Sequence, residues 1–384
     1  MKKALAGALC ALLLIGPARA GAAEVDSHAV SAILVEARTG RVLFEQNPHE
    51  KRSIASITKL MTALVAVEST PDLKQTVQVK GEWLAGAEGS SIYLAPEEEL
   101  TLEELLYGLL LESGNDAAQV IAGFCAGDIP TFVEWMNRRA QDLGMNDSHF
   151  ANPSGLDDED HFSTAWDMAL CARACMENET VASIVGTASI TMGTRTFTNH
   201  NKLLNLCDGC LGMKTGYTDE AGRTLVSCVQ RDGMRLIAVT LDDHDDWNDH
   251  MALYEYGFSV YEDRALCTAG KTLRILPVTG SLMRFVGVAP ISNATYPMRQ
   301  EEIFTTSVEL PESVSAPVRE GSIAGRMDFF LGGEKLDSVY LVYTASVSND
   351  LFTKRPLWEQ VLEWAKGRDE RTLGVFLPVG VEMT

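Results

Sequence analysis

Three short segments of the sequence carry side chains that could act together in nucleophilic chemistry. The first is Ser56-Ile-Thr-Lys59, where a spacing of three residues at a predicted helix start brings the lysine amine within reach of the serine hydroxyl. A serine needs a base before it can attack at neutral pH, and a lysine desolvated near a second cation can lose its proton and become that base. The positive end of the helix would also favour negative charge that develops near Ser56.

The other two segments offer groups that could bind a substrate. Ser113-Gly-Asn115 follows a leucine-rich helix, and alone it would be an ordinary turn with Asp116 at the start of the next helix. Lys214-Thr-Gly216 opens a predicted strand, where a lysine and a hydroxyl could hold a carboxylate and the glycine would let a ligand backbone approach closely. Each segment is weak evidence by itself, but coincidence does not explain all three in this order.

The pattern of strands and helices predicts an α+β sandwich over residues 24–263, with strands on both sides of a helical middle. One helix is predicted from about Ser56 to Ser69, and another follows the Thr101–Glu104 capping box, where leucines recur at helical spacing. Short strands separated by Gly, Pro and Asn predict a small β domain over residues 264–350. The remaining predicted elements are strands at 30–36, 41–44, 184–192, 224–230 and 236–241 and helices that begin at Thr131 and at Ser163.

The net charge of the chain excludes one class of partner. The 384 residues carry a formal charge of -21. Binding to nucleic acid depends on basic patches, so a protein this acidic is not expected to bind it. Any site for an anionic peptide would have to be a local positive island around Lys59 and Lys214.

Both ends of the chain bear on its location. Residues 1–23 combine Lys2 and Lys3, an apolar run and a small-x-small cleavage pattern, which is typical of a secretory signal peptide. The protein is therefore expected to be exported and to act outside the cytoplasm. In the tail, residues 351–384, one helix face is apolar and carries Trp358 and Trp364. Glu359 and Glu363 make the polar face of this helix acidic, so packing on its own domain is slightly favoured over a peripheral contact with the membrane surface.

Longer blocks of the sequence resemble one enzyme family. The chain is similar to the low-molecular-weight penicillin-binding proteins, the serine D-alanyl-D-alanine carboxypeptidases of peptidase family S11. The resemblance covers about residues 24–350 and implies a penicillin-binding-protein/β-lactamase-like sandwich, an antiparallel sheet with a helical cluster, followed by a small all-β domain. The blocks are IASITKLMTAL around Ser56, ESGNDAA around Asn115, NPSGLDDEDHFSTAWDMA from Asn152, TNHNKLL from Thr198, GMKTGYTDEAG around Lys214 and GSIAGRMDF from Gly321.

The resemblance implies a catalytic role for four residues. Ser56 would attack the carbonyl carbon of the penultimate D-alanine of a peptidoglycan stem peptide, and Lys59 would take its proton. Ser113 would relay a proton towards the leaving amine, and Asn115 would hydrogen-bond the peptide. The acyl-enzyme would then be hydrolysed without a metal or another cofactor.

The resemblance also implies a binding role for the segment that begins at Lys214. Lys214 and Thr215 would hold the terminal carboxylate of the substrate, and the charge of Lys214 would keep Lys59 deprotonated. Gly216 would leave room for the ligand along the strand, and the backbone N–H of Tyr217 would share the oxyanion hole with that of Ser56. β-Lactam antibiotics, which mimic the D-Ala-D-Ala dipeptide, would acylate Ser56.

Two other functions are compatible with parts of the pattern. A serine β-lactamase would need a group that activates water for rapid deacylation, and no convincing glutamate motif of that kind lies between Asn115 and Lys214. A cell-wall-binding protein without activity would have no use for the complete set of polar groups listed above. The carboxypeptidase function is therefore favoured.

The sequence departs from the family pattern at two places. His200 occupies a position in TNHNKLL where members often carry arginine, and residues 242–250 form an acidic stretch with two histidines where a basic residue is common. Carboxylate binding is therefore expected to depend more on Lys214 and Thr215. The acidic stretch would be a solvated loop or a cation site.

Seven cysteines remain after removal of the leader, and their state has three possible descriptions. Cys207 and Cys210 could form a short-loop disulfide. Together with Cys171 and Cys175 they could bind zinc through four thiolates. The third description is a set of free, buried thiols.

Overall fold

The computed structural model describes residues 25–350 together with Trp358, Val361 and Leu362. It divides into two compact units, one ending at Glu262 and the other beginning at Asp263. The predicted signal peptide and most of the predicted tail helix lie outside the described residues. No helix in the part of the chain that the structure describes is long and apolar enough to cross a membrane.

The first unit contains a central antiparallel sheet with helices. The sheet has five strands in the order β2-β1-β9-β8-β7, and β7 forms one edge. Its strands are β1 (Ser31–Glu36), β2 (Val42–Gln46), β7 (Cys210–Thr218), β8 (Gly222–Arg231) and β9 (Met234–Leu241). Two short strand pairs lie outside it: β3 (Thr76–Gln78) with β4 (Glu99–Thr101), and β5 (Ser189–Met192) with β6 (Arg195–Thr198).

The helices of this unit are α1 (Lys59–Ser69), α2 (Leu102–Leu111), α3 (Asn115–Ala126), α4 (Ile129–Leu143), α5 (Ala165–Glu177), α6 (Glu179–Val185), α7 (Leu203–Leu206) and α8 (Asp246–Val260).

Alternation along the strands explains why helices cover both faces of the sheet. Ile33 and Val35 of β1 join the core that contains α1, α2, α3 and α5, whereas Leu34 between them joins a second core with Leu253 and Tyr254 of α8. Successive side chains of a strand point to opposite faces, so a strand that is buried on both sides must be apolar throughout. The predicted α+β sandwich is confirmed.

The observed ends of the helices and strands agree with the sequence predictions at some positions and differ at others. The capping box of Thr101 and Glu104 begins α2 as predicted. The helix predicted from Thr131 begins at Ile129, because the Asp128 side chain accepts a hydrogen bond from the Thr131 N–H. The strand predicted over 184–192 is wrong in its first half. Val185 ends a helix that Asn178 caps, and the strand begins only at Ser189.

The second unit is all-β, as predicted. Its main sheet has six strands in the order β14-β16-β17-β12-β11-β15, and a two-stranded sheet pairs β10 with β13. Alternate side chains of β12 and β17, such as Val286, Val288, Val339 and Leu341, form its core. The strands are β10 (Tyr261–Cys267), β11 (Arg274–Thr279), β12 (Phe285–Pro290), β13 (Ala294–Arg299), β14 (Phe304–Glu309), β15 (Val314–Ser315), β16 (Ile323–Leu331) and β17 (Glu334–Tyr343).

All seven cysteines of the described chain are free thiols. Cys171 and Cys175 belong to the main core, whereas Cys207 packs in the core beneath α8. The two pairs therefore do not form a common four-thiolate site. Burial raises the pKa of Cys210 to about 11, so its sulfur is mainly a protonated thiol at neutral pH. Cys207 and Cys210 are not joined by a disulfide in this structure.

Candidate active site

The Ser56–Lys59 pair is formed by the turn that leads into α1. Ser56 lies in a 3-10 turn, Ala55–Thr58, and Lys59 begins the α-helix that follows. The Nζ atom of Lys59 lies 2.8 Å from Ser56 Oγ. Ala55 has a φ of 50°, a left-handed conformation that is unfavourable for a side chain with a Cβ atom. Backbone strain of this kind persists only where the surrounding packing enforces it, and here it presents the serine hydroxyl beside the amine.

Lys59 is completely buried, and its amine is surrounded by oxygen atoms. Besides Ser56 it contacts Asn115 Oδ1 at 2.7 Å and the carbonyl oxygen of Ser154. Burial lowers the pKa of Lys59 well below its usual value, and the nearby charge of Lys214 lowers it further. Both effects favour the neutral amine, which can accept the proton of the serine hydroxyl.

Ser113 and Asn115 lie on the other side of Ser56, where α2 ends and α3 begins. Ser113 lines the same cavity as Ser56. Its φ of 62° is a left-handed conformation that residues other than glycine rarely adopt. The Asn115 amide joins two elements. Its oxygen accepts a hydrogen bond from Lys59, and its nitrogen donates to the carbonyl oxygen of Glu88. Asn115 therefore holds the Lys59 amine in place and secures the segment that contains Glu88.

Asp116 has a structural role that the sequence did not reveal. It is 3% exposed, and its carboxylate accepts hydrogen bonds from the backbone N–H groups of Ile92 and Leu94 and from the Ser91 hydroxyl. This loop follows Ser90, which lines the cavity. Asp116 lies in the first turn of α3, which begins one residue earlier than predicted, at Asn115, and it also fixes the loop at 91–94.

The Lys214–Tyr217 segment lies on β7, at the edge of the sheet and against the turn that carries Ser56. Thr215, Gly216 and Tyr217 line the cavity. The Lys214 side chain is buried, and its Nζ donates to the carbonyl oxygen of Thr215 at 2.9 Å. Burial lowers the pKa of Lys214 to about 7. An anionic group bound nearby would raise this pKa again and keep the amine protonated at neutral pH.

The shared cavity has a volume of about 300 Å³. Residues on seven separate stretches of the chain line it. Four of these residues were not predicted as site residues: Ser90, Arg223, Asp246 and Trp247. One nitrogen of Arg223 donates to both carboxylate oxygens of Asp246, at 2.7 and 2.8 Å, and its guanidinium lies 5.6 Å from the Trp247 ring centroid. Asp246 and Trp247 belong to the acidic stretch at 242–250, so the local composition could have marked them as candidate site residues. No comparable signal in the sequence marks Arg223.

Comparisons with known proteins identify the family of this chain. The family model described as D-alanyl-D-alanine carboxypeptidase (Peptidase S11) matches residues 18–245, and that described as penicillin-binding protein 5, C-terminal domain, matches residues 261–349. The D-alanyl-D-alanine carboxypeptidase DacF of Bacillus subtilis (strain 168) is 32% identical over 88% of this chain and 92% of the relative. For DacC of Escherichia coli (strain K12), the identity is 31%, over 94% and 95%. The chain belongs to the D-alanyl-D-alanine carboxypeptidase family S11.

Solved structures support the same fold for this carboxypeptidase. Penicillin-binding protein 5 from Haemophilus influenzae superposes with a TM-score of 0.70 at 25% identity, over 84% of this chain and 98% of that one. A peptidoglycan synthesis regulatory factor (PBP3) from Streptococcus pneumoniae gives 0.73 at 26%, over 84% and 100%. The predicted penicillin-binding-protein-like fold is confirmed, and the protein is a serine-type carboxypeptidase, a hydrolase.

His200 lines the cavity of this carboxypeptidase at the position where the sequence departs from the family pattern. Its Nε2 lies 3.5 Å from a carboxylate oxygen of Glu112. Burial and the charge of Lys214 lower the pKa of His200, although Glu112 opposes them. The imidazole is therefore mainly neutral at pH 7, which leaves Lys214 and Arg223 as the cationic groups at this end of the cavity.

Gly216 allows β7 to approach Ser56 closely, and its replacement tests this contact. A Cβ atom at Gly216 would lie 2.5 Å from Thr224 Oγ1 and 2.9 Å from the Ser56 backbone nitrogen, both too close. We expect Gly216→Ala to push β7 away from Ser56 and to lower kcat about 100-fold in a D-alanine release assay. The matched control is Gly81→Ala, whose Cβ would have no neighbour closer than 3.7 Å. Equal activity of the two variants would contradict the close-approach role.

Proposed function

We propose that this carboxypeptidase removes the terminal D-alanine from peptidoglycan stem pentapeptides by way of an acyl-enzyme on Ser56. The observation that carries the proposal is the 2.8 Å contact between the Ser56 hydroxyl and the buried amine of Lys59. In the neutral form, Lys59 accepts the hydroxyl proton while Ser56 Oγ bonds to the carbonyl carbon of the penultimate D-alanine. The carbonyl oxygen becomes negatively charged in the tetrahedral intermediate.

Two backbone N–H groups would stabilise that oxygen. Those of Ser56 and Tyr217 are the candidates, and the support for them is the close packing of Gly216 against the Ser56 nitrogen. Donors that are already held in place lower the barrier because they need no reorganisation as the charge develops. The exposed ring of Tyr217, 64% accessible, takes no part in this contact.

Collapse of the intermediate breaks the peptide C–N bond, and the departing amine needs a proton. The proton taken by Lys59 passes to it, with Ser113 as the relay, because Ser113 lines the same cavity as Ser56. D-Alanine then leaves. Water attacks the Ser56 ester, Lys59 accepts its proton, and the shortened peptide is released as its carboxylate with Ser56 restored.

The carboxylate of the terminal D-alanine would bind at the β7 end of the cavity. Thr215 lines it and Lys214 lies directly behind, while Arg223 adds a second cation whose charge is partly offset by Asp246. This local positive charge overcomes the net charge of -21 on the chain. β-Lactam antibiotics carry a carboxylate and a strained amide in a similar arrangement, so we expect them to acylate Ser56.

The effect of Lys214 can be measured with an isosteric variant. We expect Lys214→Met to lower kcat/KM by about 10- to 100-fold, since a charge-assisted hydrogen bond to the substrate carboxylate is worth about 1.5–3 kcal/mol. Lys214→Arg keeps the charge and should lose less. Lys51→Met, on an exposed lysine paired with Asp147, is the control and should leave kcat/KM unchanged. Wild-type kcat/KM in Lys214→Met would refute a role for Lys214 in binding.

We further propose that the protein acts outside the cytoplasm, after export directed by residues 1–23. In the tail, Trp358, Val361 and Leu362 are helical and exposed. Their spacing of three and four residues places them on one face, which supports a peripheral contact with a membrane surface.

The deciding experiment compares two reactions of the wild-type protein. Incubation with a stem-type peptide that ends in D-Ala-D-Ala should release free D-alanine, and incubation with penicillin should give a stable mass adduct that peptide mapping assigns to Ser56. Fast release of hydrolysed penicillin without D-alanine release would identify a β-lactamase instead. If neither D-alanine release nor an adduct is found, the protein is a binding protein and the proposal is wrong.

A further inference from the structure

The acidic stretch at 242–250 is not a solvated loop, because several of its side chains pair with different partners in the fold. Asp242 pairs with Arg52 at 2.6 Å, and Asp246 pairs with Arg223. His250 is completely buried and hydrogen-bonds Ser227 and Thr240, so it takes no part in any surface site. Three carboxylates remain without a lysine or arginine partner among the described residues. They belong to Asp243, Asp245 and Asp249.

A histidine from the other end of the unit joins these carboxylates. His28 Nδ1 lies 2.8 Å from Asp249 Oδ1, and the Ser27 hydroxyl and the His28 backbone N–H both donate to Asp249 Oδ2. One ligand atom from each of His28, Asp245 and Asp249 lies within 4.8 Å of the other two. More than two hundred residues separate His28 from the two aspartates, so only the folded chain brings these groups together.

A second observation favours a cation beside this cluster. Asp243 has no exposed surface, and its Oδ2 has no hydrogen-bond partner in the described part of the chain. A buried carboxylate oxygen without a partner costs free energy unless a cation compensates it. Asp243 is joined directly to the cluster, because its Oδ1 accepts a hydrogen bond from the Asp245 backbone N–H at 3.0 Å. The cluster itself thus consists of two carboxylates and one imidazole.

We propose that His28, Asp245 and Asp249 bind a divalent transition-metal ion, with Zn²⁺ the best match. An imidazole nitrogen with carboxylate oxygens is a donor set that zinc accepts, whereas Mg²⁺ and Ca²⁺ prefer oxygen alone. Zinc binds such ligands at about 2.0–2.2 Å, which places neighbouring ligand atoms roughly 3.4 Å apart. The ligand atoms of the three residues already lie within 4.8 Å of one another. The double positive charge would also compensate Asp243.

The proposed site has a structural role next to the active site. It joins the N-terminal segment at His28 to the start of α8, and the next two residues after Asp245 are Asp246 and Trp247, which line the cavity. The ion would therefore hold in place the segment that supports Arg223. No step of the reaction involves it, so the site is independent of the mechanism proposed above.

The test uses the mature full-length protein after dialysis against a chelator. Isothermal titration with Zn²⁺ should show one site, and saturating Zn²⁺ should raise the melting midpoint by about 5 °C when the free ion is roughly 100 times Kd. His28→Gln keeps a donor for Asp249 but removes the ligand, and Asp245→Asn keeps the acceptor for Asn248. Each should weaken Zn²⁺ binding at least about tenfold. His49→Gln, on another surface histidine, should bind like the wild type.

Three results would overturn the proposal. The first is Zn²⁺ binding that His28→Gln and Asp245→Asn leave unchanged, which would place the ion at the free thiols. Co²⁺ used as a spectroscopic substitute would then show an intense thiolate charge-transfer band. The second is an equal melting shift with Mg²⁺ or Ca²⁺, which would exclude a role for the imidazole. The third is no Zn²⁺-dependent shift at all, which would leave the cluster as a hydrogen-bonded contact only.

Discussion

Replacing Ser56 with alanine is expected to abolish both the penicillin adduct and the release of D-alanine. The variant removes only the Oγ atom that lies 2.8 Å from Lys59, so the base and the cavity remain. Loss of a serine nucleophile in a comparable catalytic set lowers kcat by about 10⁴- to 10⁶-fold. D-Alanine release by coupled assay and intact-protein mass spectrometry after penicillin treatment measure the two effects.

The control for this variant is Ser90→Ala. Ser90 lines the same cavity but has no assigned role in the chemistry, so its hydroxyl should matter little. An adduct that persists in Ser56→Ala would show that another nucleophile reacts. A loss of similar size in Ser90→Ala would show that the cavity, and not the Ser56 oxygen, was disturbed.

Replacing Lys59 with methionine is expected to lower the acylation rate by about 10²- to 10⁴-fold, the usual contribution of a general base. Methionine fills a similar volume in this completely buried position, and a thioether cannot take the serine proton. Stopped-flow acylation by a chromogenic β-lactam measures the step directly. An unchanged acylation rate in Lys59→Met would exclude the lysine as the base.

The pH dependence of acylation distinguishes a base from a merely structural lysine. Acylation requires neutral Lys59, so the rate should rise with pH through the lowered pKa of this amine. The charge of Lys214 lowers that pKa and the charge of Asp116 raises it. The acid limb of the profile should therefore move to higher pH in Lys214→Met and to lower pH in Asp116→Asn. Shifts in the same direction, or none, would contradict the electrostatic argument.

Local chemistry made part of the site predictable. Ser56 and Lys59 meet because of a spacing of three residues at a helix start, a short-range geometry that needs no knowledge of the rest of the fold. The capping box of Thr101 and Glu104 is equally local. The strand predicted over 184–192 failed for the opposite reason. Val181, Ile184 and Val185 are buried at helical spacing after the Asn178 cap, and β-branched composition alone favoured a strand.

The roles of the more distant residues depended on packing. Asn115 contacts Lys59 across 56 residues, and its amide also secures the segment at Glu88. Asp116 looked like a residue of a helix start, yet its carboxylate binds three groups of the loop at 91–94. Arg223 carried no recognisable pattern, because its importance comes from the partner and the aromatic ring that the fold places beside it.

The sequence by itself determined which chemistry this protein could perform. The types, order and local spacing of the serine–lysine pair, the Ser-Gly-Asn turn and the Lys-Thr-Gly strand define a serine acyl transfer site. Only the tertiary structure decided the ionisation of the two lysines, since desolvation is set by every element packed around them. It also decided that His28 lies against Asp249 and that Gly216 lies against Ser56. Contacts between residues so far apart in the chain follow from how the helices and strands pack, and local spacing carries no information about them.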